Sequence, residues 1–282
     1  MIATRRALLA LGGALTVARP TAARDNPALM RLSGRPVQGG FVIGRTEPRA
    51  MVFVDGEALT SASASGLFVV GFDRDAPAQS EIETRLGRQS DRRVLAIAPG
   101  QFEVTRIDGL PPETVEPADP ALLARIAHEV ELKAEGFASR NDADSFRDGF
   151  RWPLDDYRVS STWGAQRVLN GTPARPHYGI DLATPAGSPI FAPADGLVTL
   201  AESSLHFEGG CTFIDHGQGL ISVYLHQSSQ LVLKGQRVRR GQVIGHVGMT
   251  GRATGPHLCW RLKWRNRNLD PSLMVGAAAP PP

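Results

Sequence analysis

Three short stretches in the second half of this 282-residue chain carry side chains that can hold a metal or move a proton. The first, His177-Tyr178-Gly179-Ile180-Asp181, sets an imidazole and a carboxylate four residues apart. Both are zinc donors, and an even separation on a strand turns both to one face. The second, Tyr224-Leu225-His226, ends an apolar run in an imidazole. The third, Gly255-Pro256-His257-Leu258-Cys259-Trp260, puts His257 and Cys259 two apart, on one side of a strand and roughly 7 Å from each other. Nitrogen and sulfur on one face make half of a zinc site. Taken singly, each stretch has a plain structural reading: a chance His–Asp pair, a packing histidine, a buried cysteine beside an unrelated histidine. Taken together they describe a metal position with acid–base groups beside it. His128, His206, His216 and His246 match no such pattern and are read as structural or exposed.

Glycine-punctuated strands must position these residues. From Trp152 onward, Asp195 to Thr199 reads as a strand after a turn. Cys211–Asp215 and Leu220–Leu225, joined through Gly217-Gln218-Gly219, read as a hairpin, and Val238–Gly245 as a second hairpin-like unit. Upstream, residues 29–117 carry short apolar runs at 41–44, 50–56, 66–71 and 93–98, each closed by turn chemistry, which predicts a small β-sandwich without chemistry of its own. Between them, Leu122, Ile126, Val130 and Leu132 recur at helical spacing over Pro120–Phe137, with Asp119 placed to cap the first turn. The fold class is therefore all-β dominated: an antiparallel β-sheet domain at 151–275, preceded by a β module at 24–117 and a helical linker at 118–150. The Ala/Pro-rich tail, 276–282, is expected to be disordered.

Composition narrows the class further. Hydrophobic residues at 42% and charged residues at 21% are an ordinary globular balance, and 30 glycines with 21 prolines suit a turn-rich β protein. Two cysteines are too few for a disulfide scaffold. No apolar run approaches the ~20 residues that span a bilayer, so no integral membrane segment is expected. Residues 1–23 carry Arg5, Arg6 and Arg19 and no acid, then a mostly apolar stretch and Thr21-Ala22-Ala23. That is the layout of a secretory signal peptide, which predicts export to the periplasm or cell envelope; Arg5-Arg6 also allows a twin-arginine signal. Residues 24–150 hold 15 basic and 20 acidic side chains, and residues 151–282 hold 13 and 8. A nucleic-acid binder would concentrate its basic residues with aromatics. A mildly basic half suits an anionic polymer such as the cell wall.

The motifs, in their order, resemble the lysostaphin-like (LytM-type) zinc metallopeptidases, which cut peptide bonds in bacterial cell walls. The resemblance runs through Val159 to Arg167, His177 to Asp181, Ala192 to Val198, Ile214-Asp215-His216-Gly217, Tyr224-Leu225-His226, Val238 to Gly248 and Gly255 to Leu258. It implies one zinc per chain, with His177 and Asp181 as two ligands and His226 and His257 as the catalytic pair. The position of the third ligand, a histidine in the family, holds Cys259. Three readings of Cys259 stay open: a thiolate ligand, a disulfide partner of Cys211, or the mark of a domain that has lost its metal and only binds. The resemblance implies a secreted endopeptidase acting on peptidoglycan stems or cross-links, a D-alanyl–diaminopimelate bond foremost. The alternative is a catalytically weak or inactive module that binds the wall or activates another hydrolase. A lipoyl-type carrier, suggested by Val238–Gly248, fails because the turn holds Arg239-Arg240-Gly241 and no modifiable lysine.

Overall fold

The computed structural model describes residues 30–107, 119–169 and 171–281; the expected signal peptide at 1–23 lies outside them. Most of the second half is one antiparallel sheet. Its central strands lie side by side in the order Gly196–Leu205, Gly209–Asp215, Leu220–Gln230, His257–Trp264 and Ile180–Ala183, flanked by Arg237–Val238 and Arg158–Ser161. The predicted hairpin is present, with Thr212 opposite Tyr224 and Asp215 opposite Ile221. The second, hairpin-like unit is not a hairpin. Arg237–Val238 pairs with Gly196–Leu205, whereas Val243–Val247 pairs with Pro189–Phe191 and Leu220–Gln230. Short-range pattern suggested a local partner, but each half finds a better edge elsewhere in the sheet.

Alternation gives this sheet two faces. One buries Leu182, Tyr224, Leu258, Trp260 and Trp264 in the larger apolar core. Trp260 packs against Trp152 and Phe150. Burying an aromatic of this size removes 150–250 Å², worth about 4–6 kcal/mol before entropy is counted. The other face carries Phe213, Ile221, Val223, Leu225 and Cys259, roofed at one end by the helix Pro120–Phe137 and open at the other, where the three motifs meet.

The helix starts as its sequence predicts, with the Asp119 carboxylate accepting hydrogen bonds from the Ala121 and Leu122 amides. Its inward stripe differs from the apolar spacing, however. Val130 is exposed and Glu129 is buried. Glu129 can point inward because Arg125 Nε donates to one carboxylate oxygen at 2.8 Å and the His206 amide to the other at 2.8 Å. Gly136 lets the helix approach closely, since a Cβ there would meet the Phe213 ring at 2.9 Å.

The first half forms two small sheets, one of Arg31–Arg35, Phe41–Arg45 and Leu67–Gly71, the other of Glu57–Ser61, Met51–Val54, Gln79–Leu86 and Gln89–Ala96. The larger core continues from these sheets into the second half without a break. Leu269 packs against Gly71, where a Cβ would come within 2.7 Å of it, and the Asn268 amide donates to Asp73 at 2.9 Å. Val104–Ile107 adds in parallel to Gln166–Leu169, so backbone pairing also crosses between the halves. The tail lies against the rest of the chain. Residues 276–281 are held in place, because Arg45 Nε and Ser33 Oγ donate to the Pro280 and Ala278 carbonyls and the Ala279 amide donates to Arg147. Apolar alanines and unpaired carbonyls found partners on both halves. Leu269→Ala should therefore cost about 2–5 kcal/mol, as deletion of a fully buried side chain does, read from the urea unfolding midpoint. A change below about half a kcal/mol would contradict a packed seam.

Candidate metal centre

Register builds the site. Ile180–Ala183 pairs with His257–Trp264 so that Asp181 stands directly opposite Cys259, and residues directly opposite in an antiparallel pair share a face. His177 lies just before its strand. Its backbone is clipped to the preceding loop: the Gly164 amide donates to its carbonyl and its own amide to the Ala165 carbonyl, both at 2.8 Å. His177 Nε2 then sits 3.3 Å from Asp181 Oδ1 and 3.3 Å from Cys259 Sγ. All three donor atoms lie within 4.8 Å of one another. A tetrahedral zinc with bonds of ~2.0–2.3 Å separates its donors by about 3.3–3.6 Å, so the spacing fits such an ion. Asp181 Oδ1 is buried yet accepts no well-formed hydrogen bond among the described residues; the basic side-chain nitrogens beside it are His177 Nε2 at 3.3 Å and His257 Nε2 at 3.8 Å. A buried carboxylate oxygen with no proper donor is what a cation position leaves behind.

The electrostatics agree. Burial pulls the His177 pKa down, but the Asp181 carboxylate and the Cys259 sulfur outweigh it and push it up to about 9. Burial works against ionisation of Asp181 as well, yet the adjacent His177 ring, with His257 beyond it, holds its carboxyl below the usual range. A proton on His177 and a cation among the three atoms are alternative answers to the same negative charge.

His226 reaches this face by an irregularity. Regular alternation would turn it away from Cys259, because Leu225 is the residue opposite Cys259. Between the pairs Tyr224–Thr212 and Gln227–Gly210 the register shifts. Two residues, Leu225 and His226, there face the single Cys211. His226 takes the left-handed backbone, φ +65°, and this bulge turns its ring to the site. The His226 and His257 rings lie 4.6 Å apart. Each is anchored through Nδ1, to the Thr250 carbonyl and the Gly255 carbonyl respectively, both at 2.8 Å. A neutral imidazole that donates from Nδ1 keeps Nε2 as an acceptor. Burial holds the His226 pKa below its ordinary value, against the pull of the Thr250 carbonyl.

Residues 175–271 match the model of peptidase family M23. The chain carries an M23 domain of the LytM type. Over 142 residues it is 40% identical to the peptidoglycan DD-endopeptidase ShyA of Vibrio cholerae, covering 49% of this chain and 33% of that protein. Over 223 residues it is 26% identical to the murein hydrolase activator NlpD of Salmonella dublin, covering 77% and 56%. A crystal structure of a peptidase M23 protein from Pseudomonas aeruginosa superposes with a TM-score of 0.67 at 29% identity, covering 86% of this chain and 96% of that one. The chain thus spans 33% of the length of ShyA.

Within the M23 domain, all five sequence-selected residues meet at one place, and the remaining histidines do not. His216 is fully buried between the Asp195 carbonyl and Ser222 Oγ, both at 2.7 Å, and burial lowers its pKa to about 4. Three positions of the M23 site lacked a legible signal. Ser161 Oγ lies 3.3 Å from His177 Nδ1. Thr250 holds His226 by its carbonyl while its hydroxyl links the Gly210 amide to the Gln227 carbonyl. Arg261 reaches the sulfur of Cys259. Serine, threonine and arginine are too common for spacing alone to single them out.

Both cysteines are free and buried. The strand Leu220–Gln230 runs between that of Cys211 and that of Cys259. Two strand spacings are about 9.5 Å, beyond the ~7 Å that a disulfide bridges. Burial pushes the Cys211 thiol up to about 12, so it is an inert core residue. Protein unfolded in guanidinium without reductant should therefore show two reactive thiols per chain. A count of zero would restore the Cys211–Cys259 pair.

Proposed function

We propose that this chain is an exported zinc metalloendopeptidase that hydrolyses peptide bonds in peptidoglycan stems or cross-links. His177, Asp181 and Cys259 are its metal ligands, one zinc per chain, and His226 and His257 its catalytic residues. The observation that carries this reading is the convergence of a three-donor cluster with two imidazoles whose Nδ1 atoms are both tied to backbone carbonyls. Zinc, when bound, supplies Lewis acidity toward a peptide carbonyl and toward a water nucleophile.

The rest is done by the chain's own groups. Of the two anchored imidazoles, one accepts the proton of the attacking water at Nε2; the other steadies the oxyanion or protonates the leaving amine. The depressed pKa keeps His226 neutral near pH 7 and able to accept. A thiolate ligand adds negative charge where a histidine would add none, so turnover should be slower than with a third histidine but not absent. The basic balance of residues 151–282 suits the anionic wall, and the DD-endopeptidase name of the Vibrio relative favours a D-alanyl–diaminopimelate cross-link. Residues 1–23, read as a signal peptide, support export to the periplasm or cell envelope. The likeness to NlpD over 77% of this chain supports a second reading, a module that activates another hydrolase. That role has no need of the two anchored histidines.

Purified mature protein should contain one zinc. His226→Ala and His257→Ala should each keep it, keep the fold and lose cleavage of purified peptidoglycan by ~10²–10⁴-fold. Cys259→Ser should lose most of the metal affinity and Cys259→His should retain it. A parent that binds zinc and releases no peptide from any peptidoglycan, yet stimulates an amidase, would establish the activator reading instead.

Metal uptake should also depend on pH. Ligation requires neutral His177, whose proton is held up to about pH 9. Apparent zinc affinity, measured by chelator competition, should rise at least about tenfold per pH unit between pH 6 and 8, the His177 proton alone giving tenfold and Cys259, which also ligates in its deprotonated form, adding to the slope. Affinity independent of pH would remove His177 from the ligand set.

A further inference from the structure

Along His257–Trp264, alternation puts His257, Cys259, Arg261 and Lys263 on one face. Lys263 closes one end of this row, with Nζ 4.4 Å from the centre of the Phe137 ring. Arg261 lies between it and the sulfur. Among the described residues, the one side-chain hydrogen bond of Arg261 runs from Nε to Cys259 Sγ at 3.5 Å; it forms no ion pair with a carboxylate, and the charges of Glu208 and Asp181 act on it from farther off than the sulfur. A half-buried guanidinium with no carboxylate in contact is costly unless another group answers it, and the group that Arg261 touches is the sulfur. The space above Gly179 is shaped for this contact: a Cβ there would meet Cys259 Sγ at 2.7 Å, Arg261 Cγ at 2.9 Å and Arg261 Nε at 3.3 Å. Gly179 is not in the left-handed region, so room, not backbone freedom, requires the glycine.

The ligand set explains why an arginine belongs there. Aspartate, cysteinate and neutral histidine bring two formal negative charges to a divalent ion. With histidine in place of cysteine there would be one. Hydrogen bonds to a ligating sulfur withdraw charge from it and fix its direction. We propose that Arg261 is a positioning residue for the sulfur ligand: its Nε–H directs Cys259 Sγ toward the metal and offsets the charge that the thiolate adds. The proposal rests on the zinc reading above and deepens it.

A double-mutant cycle tests it in the full chain. Arg261→Met keeps the stem over Gly179 and removes the donor; Arg261→Lys keeps the charge and loses the directed Nε–H. Each is made in the parent and in Cys259→His. Zinc affinity is read by chelator competition, and the sulfur ligand by the thiolate charge-transfer band of the cobalt(II)-substituted protein. In the parent, Arg261→Met should weaken zinc 10–100-fold and shift the cobalt band, with Arg261→Lys recovering part of the loss. In Cys259→His, Arg261→Met should change affinity less than about threefold. An equal loss in both backgrounds would make Arg261 a packing residue and overturn the proposal, as would an Arg261→Met protein with parental affinity and spectrum. If Arg261→Met does not fold by circular dichroism, the same comparison is made with Arg261→Lys, and an unshifted cobalt band then overturns it. A parent that binds no zinc overturns the zinc reading, and this proposal with it.

Discussion

The pairing of Ile180–Ala183 with His257–Trp264 is the constraint on which the site depends. Side chains alternate along a strand, so a slip of one residue in either strand would carry its donor to the opposite face. The apolar face specifies that register. Leu182, Leu258 and Trp260 are sealed in the larger core, and sliding the strand would expose them. The donors on the other face are placed by residues that take no part in the chemistry. Transfer energy of leucine and tryptophan is thereby converted into the position of a carboxylate and a sulfur.

His226 shows a second kind of placement. A strand that kept its period would bury this imidazole in the core behind the sheet. One extra residue in the ladder and a left-handed backbone turn it round, and Thr250 secures the result from a different loop. A non-glycine residue at positive φ costs of order 1–3 kcal/mol. The anchoring hydrogen bonds and the packing on either side of the bulge must offset that cost, which is how strain comes to be stored at a functional position.

As the proposed third ligand, Cys259 changes the charge of the site from what a histidine would give. The sulfur lies 3.3 Å from His177 Nε2, and two neighbouring features suit its charge and size: a guanidinium whose side-chain contact is the sulfur, and a glycine whose missing side chain leaves room for both. On the proposed reading, a sulfur ligand thus bears on at least two other positions, Arg261 and Gly179, which come together at the sulfur.

Much of this was legible in the chain alone. Donor chemistry is a property of side-chain type, so His177, Asp181, His257 and Cys259 could be selected before any fold was known; even spacing gives the shared face of His257 and Cys259, whereas His177 precedes its strand and is brought beside Asp181 by its loop. Turn residues and apolar alternation likewise give short strands, and Asp119-Pro120 gives a helix start. These are local facts, and local sequence encodes them. What the tertiary structure decided is non-local. The strand between the two cysteines rules out their disulfide. The bulge, not the spacing, turns His226 inward. Glu129 is buried in place of Val130 because a guanidinium and an amide meet it there. The tail carbonyls at 278 and 280 meet donors more than two hundred residues away. Ser161, Thr250 and Arg261 gain their roles only from what they touch, since no period or motif links a residue to a partner that long-range strand pairing brings beside it.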